Sequence, residues 1–332
     1  VTAAWKRVAA MLGMALVALP GCTLAADKER RMTEAKARAA TRLECMGRFC
    51  LEVPASFTRQ GETFRFGLTN LEEVATPVEG EKGFQTLWGV QLAKIEALKT
   101  RGHGADDPTG KVVERIKVGP RYEVVTYHHS TMTEEGMMEG LLEREGRALA
   151  LSRFHSFSFR DMVLERFTDV GKAWRPRRAG EPWPIPGVKA FYLRSSVIVE
   201  PAYGGEEVYV GFEEAGSKAT LSVETEDVVE PETKGLLARL GEATVRAGVG
   251  LAGGFAQVRS RRRTAAGEKG EELILRVDQG KKLAFSWTFP GGADDPERPE
   301  IVVEMETNAA DQQEKVAAWD RLLDSLRRAD AP

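Results

Sequence analysis

Apolar and polar residues alternate in short runs along most of the chain, and helical spacing appears in only a few places. A period of two marks a strand with one buried face, and a period near 3.6 marks an amphipathic helix. In the first half, Cys45 to Val53 reads as a strand stopped by Pro54, and Thr63 to Leu68 as an alternating strand. Leu87 to Lys99 has helical spacing, with Trp88, Leu92, Ile95 and Leu98 on one stripe and Gly102 beyond its end. Lys111 to Val118 and Arg121 to His129 form a hairpin pattern around Gly119-Pro120. Met138 to Arg144 and Arg147 to Leu151 flank Glu145-Gly146 and read as a second hairpin, with one continuous helix as the alternative. Asp161 to Trp174 is helical, with Leu164, Phe167 and Trp174 inward.

Proline and glycine then crowd together between Arg175 and Gly187. Proline lacks a backbone donor and disfavours helix before it, so this stretch reads as an extended linker. Beyond it, Phe191 to Val199, Glu207 to Phe212 and Thr220 to Glu226 read as strands and Glu232 to Ala247 as a helix. Phe255 to Arg262, Glu272 to Val277, Lys282 to Phe289 and Ile301 to Thr307 give four more strands. Ala310 to Arg328 closes the chain as a helix, with Val316, Trp319, Leu323 and Leu326 on one face. Each half runs strands, helix, strands, helix. Short turns between strands imply antiparallel sheet, so the expected class is α+β, with helices packed on one side of a sheet in each of two domains. The boundaries are 42–178 for the N-terminal domain, 179–187 for the linker and 188–329 for the C-terminal domain.

The first 21 residues differ from the rest. Lys6 and Arg7 precede an apolar run from Val8 to Leu19, which Pro20-Gly21 breaks before Cys22. A bilayer span needs ~20 apolar residues, so this run fits the core of a signal peptide better than a membrane helix. Leu19-Pro20-Gly21-Cys22 resembles a bacterial lipobox, which implies a lipid on Cys22. Thr23, rather than aspartate, follows the cysteine, and that resemblance favours the outer membrane. Acyl chains supply ~0.8 kcal/mol per buried CH2, so anchoring requires no spanning helix. Residues 22–41 then read as a polar tether, and the body is expected in the periplasm.

The composition, with 42% hydrophobic and 29% charged residues and a net charge of −3, is that of a globular protein. So small a charge gives no reason to expect a nucleic-acid partner. Cys45 and Cys50 form a candidate disulfide. Inside one strand they would stand ~16 Å apart, beyond the reach of a bond, whereas a turn at Gly47 would bring them together.

Catalytic and cofactor signatures are weak. Gly248 to Gly253 matches GxGxxG, but a helix precedes it and a strand follows, the reverse of a dinucleotide site. His128 and His129 are adjacent in a strand and point to opposite faces, while Ser156 and Ser158 near His155 read as surface residues. The expectation is no enzyme, no metal, no cofactor and no small-molecule substrate. Arg259, Arg261, Arg262 and Arg263 form a basic cluster, a candidate docking point for an acidic partner. The acidic run from Glu224 to Glu232 has the same status.

Several stretches in order resemble the immunity proteins that neutralise lipase effectors of the bacterial type VI secretion system. They are Cys45-Met-Gly-Arg-Phe-Cys-Leu-Glu-Val-Pro54, Gly267-Glu-Lys-Gly-Glu-Glu-Leu273, Phe285-Ser-Trp287, Arg298-Pro299 and Trp319-Asp-Arg-Leu-Leu-Asp-Ser-Leu-Arg327. Gly187-Val-Lys-Ala190 lacks the cysteine that often opens the second module of that family, and Cys50 replaces an apolar residue. The resemblance implies a two-domain, claw-like α+β protein of the periplasm that grips a phospholipase or lipase toxin across its lid. The matched residues read as fold-forming, so none is carried over as a binding residue. A different function, lipid carriage or envelope assembly by an outer-membrane lipoprotein, would require a sheet with an apolar concave face.

Overall fold

The computed structural model describes residues 41–75, 77–98, 107–200, 204–231, 235–236 and 256–330. Cys22, the signal and tether up to residue 40, Gly102, His103, almost all of the helix expected over Glu232 to Ala247, and Gly248 to Gly253 lie outside them.

The strands in chain order are β1 (Thr41–Met46), β2 (Phe49–Pro54), β3 (Phe57–Phe66), β4 (Thr69–Val74), β5 (Val112–Gly119), β6 (Tyr122–His128), β7 (Glu135–Arg144), β8 (Arg147–Ser156), β9 (Trp174–Pro176), β10 (Ala190–Tyr192), β11 (Ser196–Val199), β12 (Glu207–Glu214), β13 (Thr220–Glu226), β14 (Ala256–Ala265), β15 (Glu268–Val277), β16 (Lys282–Phe289), β17 (Glu300–Asn308) and β18 (Arg327–Arg328). The helices are α1 (Gly80–Leu98), α2 (Arg160–Ala173) and α3 (Gln312–Ser325). The protein is therefore mainly antiparallel sheet with a few helices, as the alternating pattern implied.

Twelve strands make one sheet in the order β14-β15-β16-β17-β13-β12-β3-β4-β8-β7-β6-β5. The halves meet inside it, where β3 runs antiparallel to β12 and Phe64 lies opposite Val208. Two small sheets also mix the halves. One is β1-β2-β18, and the other is β10-β11-β9. The segment expected as a linker thus starts and ends in the same three-stranded sheet. Arg175 holds Glu181 across it at 2.5 Å, and Arg177 lies over Trp183, which meets Tyr192 edge-on.

The core lies on one face of the large sheet. Val208, Val210, Leu221, Val223, Phe285, Trp287, Ile301 and Val303 point into it, joined by Phe167 of α2 and Trp319 of α3. α1 buries Phe84, Trp88 and Ile95 in a second cluster with Val125 and Leu141. Because Val124 belongs to the first cluster and Val125 to the second, α1 sits on the opposite face from α2. Helices consequently occupy both faces, where the sequence pattern suggested one.

Three elements differ from the expected pattern for local reasons. The strand expected over Cys45 to Val53 is a hairpin turned at Gly47 (φ +55°). The strand expected to end at Leu68 stops at Phe66, because Gly67 and Leu68 both take positive φ and turn the chain into β4. The last helix ends at Ser325 rather than Arg328. Leu326 is extended, and Arg327 and Arg328 pair with Cys50 and Phe49.

Candidate interaction surface

The turn at Gly47 closes the Cys45–Cys50 disulfide, with a Cα–Cα distance of 4.0 Å. It is also a crowded point of the chain. Gly47 exchanges backbone hydrogen bonds with Tyr192, and a Cβ there would stand 2.8 Å from Val208 Cγ2. The next residue, Arg48, makes a double hydrogen bond to the buried Glu206 at 2.6 and 2.7 Å. Burial pushes the Glu206 carboxyl up, opposed by Arg48. The motif at the start of the body is thus a joint between the halves.

The arginine cluster divides by strand parity. Arg259, Arg261 and Arg263 share one face of β14 and converge on Glu272 of β15 and Asp320 of α3. Arg259 donates to Asp320 at 2.7 and 3.0 Å and also to Glu272. Arg261 donates to Glu272 at 2.6 Å and to Asp320 at 3.0 Å. Arg263 donates to Asp320 at 2.6 Å and to Asp324 at 2.5 Å. Glu272 is fully buried and also accepts the Trp319 indole N–H at 2.9 Å. These three charges are matched inside the fold and fasten α3 to the sheet. Arg262 points the other way and is exposed.

The histidines are divided as well. His128, Gly136 and His155 lie opposite one another on β6, β7 and β8, with Phe157 packed between the two rings at 4.8 and 5.4 Å. His129 instead approaches Phe154. His155 is committed through both nitrogens, to Thr126 Oγ1 at 3.2 Å and to the Ser156 carbonyl at 2.9 Å. Burial, followed by smaller effects of Arg153 and Arg160, holds its pKa below the ordinary histidine value. Ser156 and Ser158 hydrogen-bond to each other at 3.0 Å. Among the described residues no group of histidine, cysteine, aspartate or glutamate is placed to hold a metal ion.

The sheet face away from the main core is built differently at its two ends. Beneath α1 it is apolar. Across β3, β12, β13 and β17 no helix among the described residues covers it, and the side chains become acidic. Strand register sets the pattern. Thr63, Tyr209, Glu224, Val302, Thr288, Glu271 and Arg262 lie opposite one another in a single row across the sheet. Arg65, Glu207, Glu226 and Glu300 form the next row, and Ser222 and Glu304 flank the first on its other side. Tyr209 is 43% exposed at the centre.

Arg65 answers Glu207 at 2.6 Å and Lys282 answers Glu306 at 2.6 Å. Glu224, Glu226 and Glu304 are exposed and have no ion pair among the described residues. Partial burial, together with Glu226, Glu207 and Glu304, raises the Glu224 carboxyl above its usual range. Carboxylates side by side on neighbouring strands stand ~5 Å apart, and each such pair costs on the order of 1 kcal/mol in water.

The fold resembles that of known proteins. Residues 184–329 match the family model described as the Tle cognate immunity protein 4 C-terminal domain. That part of the chain is similar to this family. The resemblance carried by the motifs between Gly267 and Arg327 is thereby borne out, and the structure shows what those residues do within the domain. Gly270 leaves room for Trp287, where an added Cβ would lie 2.6 Å from the indole. Trp287 donates its indole N–H to the Arg263 carbonyl at 3.1 Å, Arg298 pairs with Glu268 at 2.9 Å, and Trp319 caps Glu272.

Solved structures extend the likeness in fold beyond the domain. The apo immunity protein TplEi of the T6SS from Pseudomonas aeruginosa is 16% identical over 88% of this chain and 98% of its own, with a TM-score of 0.73. A chain of the Tle4-Tli4 complex is 15% identical over 89% of this chain and 99% of its own, with a TM-score of 0.74. No curated protein sequence matches the chain.

Proposed function

We propose that this chain is an immunity protein that binds and inhibits a type VI secretion lipase or phospholipase toxin in the periplasm, anchored to the outer membrane through a lipid on Cys22. The observation that carries the reading is the match of residues 184–329 to the Tle cognate immunity protein 4 C-terminal domain. The likeness in fold to an immunity protein over 88% of the chain supports it. Among the described residues the outward face of β12, β13 and β17 is charged rather than apolar, which weighs against lipid carriage.

Inhibition of this kind is steric and requires no catalytic group in the inhibitor. A lipase whose lid must open for lipid to enter is silenced by any partner that binds the closed state more tightly than the open one. Anchoring holds the inhibitor beside the lipid under attack. The two halves, taken as two domains, would grip the lid from both sides.

The test is co-expression with the lipase encoded beside it, followed by size exclusion and a lipid-hydrolysis assay. The expected result is a stoichiometric complex with suppressed hydrolysis, and a Cys22→Ser chain that moves from the membrane fraction to the soluble periplasm while still inhibiting. Hydrolysis undiminished by an excess of the protein would overturn the reading.

A further inference from the structure

The hairpin of β1 and β2 belongs to the first half, yet the partners of its turn come from the second. Gly47 exchanges hydrogen bonds with Tyr192 at 2.7 and 2.8 Å, and Arg48 grips Glu206. The Arg48 carbonyl accepts the Ala329 N–H at 2.8 Å, and Cys50 and Phe49 pair with Arg327 and Arg328. We propose that the Cys45–Cys50 pair is a redox-set clasp: bonded, it closes this hairpin onto the second half, and reduced, it releases it, so that the chain becomes a competent inhibitor only where thiols are oxidised. The last clause rests on the reading of the chain as an exported inhibitor of a lipase.

Three observations carry the proposal. First, the bond spans the turn itself, with five positions between its ends. A lone two-stranded hairpin is marginal in water, and Gly47 loses more backbone freedom on folding than any other residue type would. A covalent link removes part of that freedom from the open chain beforehand. Second, both cysteines are buried in one cluster with Ala190, Tyr192, Val197 and Ala329 of the second half. Free thiols cannot approach as closely as bonded sulfurs. With the Cα atoms 4.0 Å apart, reduction overpacks the cluster and drives the hairpin off its partners. Third, burial closes the sulfurs to exchange once the clasp has formed. The bond is therefore made while the hairpin is open and is kept afterwards.

Oxidation removes two electrons and two protons from the pair. One cysteine thiolate attacks a sulfur of a protein disulfide, the other displaces the mixed disulfide, and the donor leaves as a dithiol. In a reducing compartment this step does not proceed, so the clasp stays open before export. After export it adds a fixing point beside the β3–β12 pair and helps to set the angle between the halves that would grip the toxin.

The test compares the oxidised chain, the same chain reduced with dithiothreitol, and Cys45→Ser/Cys50→Ser, which needs no reductant and so spares the lipase. Amide hydrogen exchange is read at Gly47, Tyr192 and Ala329, and lipase binding is read by calorimetry. The three amides are expected to exchange at least about tenfold faster in the reduced chain and in the double variant, while those of β13 and β17 stay protected. Binding by the double variant is expected to weaken at least about tenfold. Glu272→Gln, which loosens the fold elsewhere, is expected to bind within about twofold of the unaltered chain. Protection retained at all three amides without the bond would overturn the clasp. Protection lost equally throughout the sheet would overturn it too, because the bond would then support the whole fold. Equal loss of binding in Glu272→Gln would show that general stability, not the clasp, governs inhibition. If the oxidised chain binds no lipase, the functional reading falls, and the exchange rates still decide whether the clasp exists.

Discussion

Single residues decide how the chain turns, and Gly47 is one such case. It combines φ +55° with a Cβ position 2.8 Å from Val208 Cγ2. Gly47→Ala therefore adds left-handed backbone strain to overpacking at the joint between the halves. A loss of roughly 2–4 kcal/mol is expected, read as a lower urea midpoint at unchanged slope. A change below about 0.5 kcal/mol would mean that Val208 simply moves aside. Leu68 is the converse case. It adopts φ 63° while 55% exposed, in a turn where glycine or asparagine is usual. The residue type gave no turn signal there, so β4 was not legible from the sequence. Glu145-Gly146 has the ordinary chemistry of a two-residue turn, and the structure takes the hairpin of β7 and β8 over the single helix that the pattern also allows.

At the scale of elements, pairing between side chains explains what alternation could not. Arginines at every second position of β14 looked like a free basic patch, because the sequence did not reveal that Glu272 and Asp320 would meet them. Glu272→Gln leaves Arg259 and Arg261 with Asp320 as their one carboxylate, leaves Arg263 with Asp320 and Asp324, and weakens the acceptor for the Trp319 indole. Part of the arginine charge remains solvated, which moderates the cost. The expected loss is roughly 2–4 kcal/mol at neutral pH, against less than about 0.5 kcal/mol for Arg262→Gln, both from chemical unfolding. Equal effects would show that the network contributes nothing beyond exposed charge. The Trp319 stripe placed α3 correctly, but its end was overestimated because the chain leaves the helix to pair with β2, a long-range event without a local breaker.

For the whole molecule, the decisive feature is that the large sheet passes without a break from one half to the other. The halves are proposed as domains, and they share the β3–β12 pair, the buried Arg48–Glu206 pair, and Glu73, which accepts the Ser195 backbone N–H at 2.9 Å. Such an interface is expected to couple their unfolding. One calorimetric transition should appear, with van't Hoff and calorimetric enthalpies equal. Two resolved transitions would show that the halves fold independently and that the shared strands add little. The acidic rows belong to this scale too, since they draw on strands from both halves.

What the sequence determined by itself was local and periodic. The strand and helix patterns followed from which residues must be buried at periods of two and 3.6, and the lipobox-like Leu19 to Cys22 pattern and the family motifs followed from short runs of particular residue types. The tertiary structure decided everything that depends on pairing between distant segments. It joined β3 to β12, turned Cys45 toward Cys50 and spent three arginines on Glu272 and Asp320. It also aligned Glu224, Glu226 and Glu304 on one face of the sheet. The reason is physical: alternation states that a side chain faces away from the core, but only strand register states which charges it will face there.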